Sequence, residues 1–183
     1  SMLHNIGNIY RALGDYERAR EHLEMALEIR TNLHEIWKQA VTLHELGNTY
    51  LDEKRASEAR AHYEQALPLR RQAGDRRGEA YTLDALGLTA RVLKENEKAL
   101  DYARQAEAIW ESVSDKRGRA ETHESLGLIH AAMGQTDLAR GQFLKSLQLH
   151  REVGLGGFAA RAMLGLSRLE REAGRLKEAL PPI

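Results

Sequence analysis

The chain has 183 residues, with 27 basic and 27 acidic side chains and so no net charge when His is neutral. That balance does not favour nucleic acid or an anionic membrane as a partner, and the absence of Cys excludes disulfides, thiolate catalysis and Cys-ligated metal. No apolar run approaches the ~18 residues of a membrane span, and 52 Leu and Ala against 11 Val and Ile favour helices over strands.

The chain matches itself at a spacing of 40 residues, without insertion or deletion. Ala19, Ala59, Ala99, Ala139 and Ala179 form one column, and Ile6, Leu46, Leu86, Leu126 and Leu166 a second. Gly7, Gly47, Gly87 and Gly127 form a third that ends in Ser167; Ala40, Ala80, Ala120 and Ala160 form a fourth; Ala26, Ala66, Ala106 and Ser146 form a fifth. The units this predicts are approximately 1–34, 35–74, 75–114, 115–154 and a truncated 155–183, in a single array.

In chain order, each unit reads as two helices. The first carries Ile6, Gly7 and Tyr10 at helical spacing and stops at Gly14, which suits a left-handed exit, while Asp15 suits the cap of the next helix. That second helix runs through Ala19, Leu23, Ala26, Leu27 and Ile29. Unit two repeats the pattern with Leu43, Leu46, Gly47 and Tyr50, then Ala59, Tyr63, Ala66 and Leu67. Lys54 and Lys94 stand where the first unit has Gly14, so their turns are expected to use another geometry. Asp75 and Asp115 are expected N-caps, and Gln135 with Thr136 takes a similar turn role in unit four. The Gly-rich stretch from Gly154 to Phe158 is the candidate hinge. The Gly and Ala columns lack bulk, so paired helices can approach closely; Leu at Ala59 would overpack that contact. Trp37 and Trp110 fall near helix ends, where packing is the expectation for both.

The pattern Leu-Gly-x-x-Tyr followed by Ala-x-x-x-Tyr/Phe-x-x-Ala resembles the tetratricopeptide repeat. It stands here as Ile6-Gly7-Asn8-Ile9-Tyr10 with Ala19, Leu23 and Ala26, and as Leu46-Gly47-Asn48-Thr49-Tyr50 with Ala59, Tyr63 and Ala66. Unit three departs at Ala90 and Ala103, unit four at His130, and unit five at Ser167 and Glu170. The long period is similar to that of the subclass found in kinesin light chain, spindle-polarity adaptors and bacterial regulators. The resemblance implies an all-α, right-handed solenoid of antiparallel hairpins, about four and a half repeats long, whose first helices line a concave groove. Leu3 already lies well inside a helix pattern and Pro181-Pro182 interrupts the last one, so an excised domain of a larger protein is expected.

Carried over by position, the groove residues would be His4, Asn8 and Arg11; His44, Asn48 and Leu51; Asp84, Leu88 and Arg91; Glu124, Leu128 and Ala131; and Arg161, Leu164 and Arg168. Asn8 and Asn48 stand out, because a free amide can donate to and accept from a peptide backbone. Leu51, Leu88, Leu128 and Val92 predict an apolar strip, and Arg11, Arg91, Arg161 and Arg168 add positive points, which fits an acidic, leucine-containing protein segment. His4 and Glu45 depart from the family's carboxylate clamp, so a Glu-Glu-Val-Asp tail is disfavoured. The expected function is a protein–protein interaction module within a larger signalling or regulatory protein in the cytoplasm, with no enzymatic activity, cofactor or metal. The alternative is a structural spacer that self-associates through its terminal repeats. Arg70, Arg71, Arg76 and Arg77, with Lys116, Arg117 and Arg119 one unit on, raise nucleic acid as a lesser reading.

Overall fold

The computed structural model describes residues 2–154 and 159–172. Among them lie nine helices: α1 (Met2–Ala12), α2 (Tyr16–Asn32), α3 (Ile36–Asp52), α4 (Ala56–Gln72), α5 (Arg76–Val92), α6 (Asn96–Ser112), α7 (Lys116–Ala132), α8 (Thr136–Glu152) and α9 (Ala160–Glu172). The second helix of the fifth unit, with Ala179, and the candidate hinge beyond Gly154 lie outside the described residues.

The turns make the array regular. A residue with positive φ recurs every twenty positions, at Gly14, His34, Lys54, Gly74, Lys94, Ser114, Gly134 and Gly154. Lys54 (φ 64°) and Lys94 (φ 63°) thus use the same left-handed geometry as the glycines, contrary to the expectation for them. The reason lies in the hydrogen bonds on either side. From Gly14 to Gly134, the amide after each left-handed residue returns to a carbonyl five positions back, as from Asp15 to Tyr10 at 3.0 Å and from Arg55 to Tyr50 at 2.8 Å. The same residue opens the next helix, so one short turn closes one helix and starts another. These bonds outweigh the roughly 1 kcal/mol that a side chain loses in that region. Asp15, Asp75 and Asp115 cap as expected, accepting from the amides of Arg18, Gly78 and Gly118 at 3.2, 2.9 and 3.0 Å. Gln135 makes no side-chain cap and instead bonds His130 at 2.6 Å.

Consecutive helices pack as hairpins, and the small columns are where they touch. A Cβ at Gly47 would stand 2.5 Å from the Tyr63 ring, and one at Gly127 2.6 Å from Phe143. Ala19, Ala59, Ala99 and Ala139 are fully buried. In unit three, where Ala103 replaces the aromatic residue, the neighbouring Tyr102 packs into the core from the side. Phe143 is held between two facing glycines, because a Cβ at Gly165 of α9 would also meet its ring at 2.5 Å.

Unit five breaks one column. α9 begins at Ala160, four residues later in the repeat than α7 does at Lys116. Ala160 is exposed, and Ala159 and Ala162 are buried instead. The two tryptophans also part company: Trp110 is fully buried, whereas Trp37 is 53% exposed and donates its indole N–H to Asp75 at 2.9 Å.

The first helices of successive hairpins contact one another, α1 with α3, α3 with α5, α5 with α7 and α7 with α9, while among the described residues the second helices of neighbouring hairpins make no comparable contact. The first helices are thus the closer set, and their outward side is the inner face of a curved stack. Among the described residues no helix is long and apolar enough to cross a membrane.

Candidate functional site

The inner face is assembled from α1, α3, α5, α7 and α9, and the column His4, His44, Asp84, Glu124 runs along it. These four side chains do not project freely into a groove. Each engages polar groups of its own or the next hairpin. Arg30 of α2 donates to His4 Nδ1 at 3.2 Å, to the Lys38 carbonyl at 3.1 Å, and to Thr42. His44 Nδ1 is 3.2 Å from the Thr82 hydroxyl, and its ring lies 5.2 Å from that of Tyr63. Asp84 accepts from the Trp110 indole at 3.1 Å and from the Thr122 hydroxyl at 2.9 and 2.8 Å. Glu124 is buried and pairs with Arg161 at 2.8 Å.

The result is a polar seam through the wall of the inner face, and its electrostatics change along its length. Burial first, and nearby Arg30 next, hold His4 at a pKa of about 4. Burial, with Arg70 and Arg11 behind it, holds His44 at about 4 as well. Both rings are neutral at pH 7, as acceptance from the Arg30 guanidinium requires of His4. Further along, burial pushes the Asp84 carboxyl up to about 7, opposed by its bonds from Trp110 and Thr122. Burial also raises Glu124, opposed by Arg161. The second-helix residues Arg30 and Trp110 were not among the residues expected at the site. Their shared position with Arg70 and His150, one period apart, was the available signal.

The two asparagines differ from the expectation of free amides. Both are half-buried. Asn48 accepts from the Tyr63 hydroxyl at 2.7 Å and donates to Glu45 at 3.2 Å, so its amide is engaged at both ends. The position of Tyr63 is held by Leu23 in the first hairpin, which has no hydroxyl to offer; Asn8 Oδ1 has no hydrogen-bond partner among the described residues and its amide nitrogen lies 3.4 Å from His4.

The four arginines expected as positive points divide in two. Arg11 bonds Asp52 at 2.9 Å and lies 3.5 Å from Glu45, and Arg161 is closed on Glu124. Arg91 and Arg168 make no ion pair among the described residues. Both line a cavity of about 240 Å³ between α5, α7 and α9, together with Leu128, Ala131, Phe143 and Gly165. Burial lowers the pKa of Arg91, and its Nε is shielded from solvent without an acceptor. Leu88 is half-buried, and Val92 and Leu164 are 50% and 58% exposed on the same side. Leu51 is half-buried, packed beside Tyr63 and Leu86.

The basic cluster is neutralised within the fold. Arg70 pairs with Asp75, Arg71 and Arg76 with Glu79, Arg77 with Asp115, Lys116 with Glu152, Arg117 with Glu121, and Arg119 with Glu111. Among the described residues no group of three His, Asp or Glu side chains converges as a metal site would need.

Solved structures share this architecture at low sequence identity. BtubC (BKLC) from P. vanneervenii is 18% identical with a TM-score of 0.82, over 97% of this chain and 74% of that one. A putative kinesin light chain with nearly identical TPR-like repeats, from Podosopora anserina, is 17% identical with a TM-score of 0.75, over 97% and 88%. The apo form of RapI is 16% identical with a TM-score of 0.84, over 97% of this chain and 65% of that one. No curated protein matches the sequence. A tetratricopeptide-repeat sequence model matches residues 1–72, 38–112 and 118–182, and with the stacked hairpins, the Gly and Ala contacts and the inner face of first helices, it establishes that the chain belongs to the tetratricopeptide repeat family.

Proposed function

We propose that this array is a protein-interaction module that takes a segment of a partner protein along its inner face, acting in the cytoplasm as part of a larger signalling or regulatory protein. The observation that carries the reading is the row of uncovered apolar side chains on α5, α7 and α9. Leu88, Val92, Leu128 and Leu164 remain at least partly open on a face that carries His44, Asp84 and Glu124, each bonded to a neighbour. Soluble proteins rarely leave a contiguous apolar strip rimmed by charge without a use for it. Binding a segment there needs no catalytic group, which fits the seam of bonded His and carboxylate side chains.

The test is selection of binders from a random peptide display library, with a Val92→Asp/Leu164→Asp variant as comparison. Both side chains are exposed, so the variant should melt like the parent. Peptides held by the parent and lost by the variant support the groove; peptides held equally by both overturn it.

One observation favours self-association as a second reading. α1 and the turn after it expose Met2 (79%), Ile9 (58%) and Leu13 (74%), whereas the positions matching Met2 and Ile9 in the next unit, Thr42 and Thr49, are fully buried. A sedimentation coefficient that rises with concentration in the parent, and stays constant in an Ile9→Asp variant, would support it. A concentration-independent monomer would remove it.

A further inference from the structure

The Arg91–Arg168 cleft carries a more specific reading, which rests on the groove as a peptide site. We propose that it recognises one acidic–aliphatic pair in the partner segment. A branched aliphatic side chain enters over Leu128 and Ala131, and the neighbouring carboxylate is held between Arg91 and Arg168.

Size, charge and incompleteness each point that way. The cavity of about 240 Å³ falls below the ~300–1,000 Å³ of sites that enclose a whole small molecule, so it suits a side chain presented by a longer chain. Its walls are the apolar surfaces of Leu128, Ala131 and Gly165, with Phe143 behind. At its rim stand two guanidinium groups against one acid, Glu172, which leaves one positive charge for one carboxylate.

Arg91 is the incomplete element. Its Nε is withdrawn from water with nothing to accept its proton. Such a group is unfavourable in the empty array and is satisfied when an acceptor arrives. Arg11 Nε is shielded in the same way, but the rest of that guanidinium is bound by Asp52, and Arg161 is bound by Glu124. Among the described residues none pairs with Arg91, and a planar carboxylate matches the guanidinium fork better than a compact anion does.

The test uses the 183-residue protein and amide NMR titration with three blocked tetrapeptides. They are acetyl-Gly-Leu-Glu-Gly-amide, its Gln analogue and acetyl-Gly-Gly-Glu-Gly-amide. The Leu-Glu peptide should shift the amides of Leu128, Ala131 and Gly165 saturably. The Gln analogue should bind roughly fivefold more weakly, and Arg91→Gln or Arg168→Gln should weaken the Leu-Glu peptide by a similar factor. Arg60→Gln, on α4 and paired with Glu95, should change nothing. The proposal is overturned by equal binding of the Glu and Gln peptides, by shifts centred elsewhere, or by no shift at all. Inorganic phosphate or the Gly-Glu peptide shifting the same amides equally well would overturn the aliphatic half. Each of these outcomes leaves the groove reading standing if display still yields peptides that need Val92 and Leu164. Failure of that display, with the Leu-Glu titration succeeding at Leu128, would leave a short-motif site without an extended groove.

Discussion

The inner face divides into an amino-terminal part that is closed on itself and a carboxy-terminal part that is open. In α1 and α3, Arg11 is held by Asp52, Asn48 by Tyr63 and Glu45, and His44 by Thr82. Across α5, α7 and α9, Arg91 and Arg168 make no ion pair among the described residues, and Leu128 and Leu169 line the cleft they share. Equivalent repeat positions thus do different work. Whether a groove residue is available depends on what the neighbouring helix offers it, and repeat proteins can vary that offer one unit at a time without disturbing the stack.

The largest effect that would sharpen this contrast comes from the glycine column. Gly47→Ala drives a Cβ into the Tyr63 ring, which both fills the core and satisfies Asn48. A loss of about 2 kcal/mol is expected in urea unfolding. Gly87→Ala, in the unit without an aromatic residue at that place, meets the Ala99 carbonyl at 3.2 Å and no ring. The helix gain of ~0.5–1 kcal/mol from Gly to Ala should leave it near neutral. Equal losses at the two sites would mean that the ring contact is not what distinguishes these hairpins.

Acid separates the two parts in opposite directions. The pKa of His44 is lowered to about 4 from the ordinary 6.5, so its stabilising contribution is present above about 6.5 and lost as pH falls toward 4. Asp84 is raised to about 7 from 3.8, so its contribution is full below about 4 and lost as pH rises through 7. Asp84→Asn should therefore gain on the parent between pH 4 and pH 8 by on the order of 1–3 kcal/mol. Urea midpoints measured across that range check it, and a constant difference between the two proteins would refute the assignment. Hydrogen exchange at pH 5 should show α1–α3 loosening relative to α5–α7.

Tyr63→Phe is a smaller and more local test. It keeps the ring against Gly47 and removes the hydroxyl that donates to Asn48. The expected loss is about 1 kcal/mol, the ordinary worth of one such bond. The variant also places Asn48 in the condition of Asn8, whose Oδ1 has no partner. No change in stability would mean that Asn48 is not committed to the fold.

The architecture was legible because its determinants are local and repeated. A Gly, Ala or Ser at fixed spacing records close helix approach, because a bulky residue does not fit there. The availability of site residues was not legible, for the opposite reason. Tyr63 reaches Asn48 across the hairpin, and Asp52 reaches Arg11 from the next unit, so composition at one position says nothing about the other. Lys54 and Lys94 were misread because residue preference disfavours a left-handed lysine, whereas the geometry of two regularly spaced helices demands one. Ala160 kept the column in sequence but is exposed in the fold, where Ala159 and Ala162 are buried instead. Leu128, Arg91 and Arg168 were each placed on the inner face by register alone. That the two arginines share one cleft, with Glu172 as the one acid in its lining, emerged only from the packing of α5, α7 and α9.

The smallest expected effect bears most directly on the open part of the face. Arg11→Met removes a cation that has two acids nearby and should lower stability by up to ~1 kcal/mol, as exposed and half-buried ion pairs do. Arg91→Met keeps the aliphatic stem against its neighbours and removes a half-buried guanidinium with no acceptor, so stability should rise by roughly 0.5 kcal/mol. Opposite signs in parallel urea titrations would mean that Arg91 is held at some expense to the fold, as expected of a residue whose partner arrives from outside. A loss at both positions would instead place an acceptor for Arg91 within the array itself, and the difference between the two parts of the inner face would then be one of composition alone.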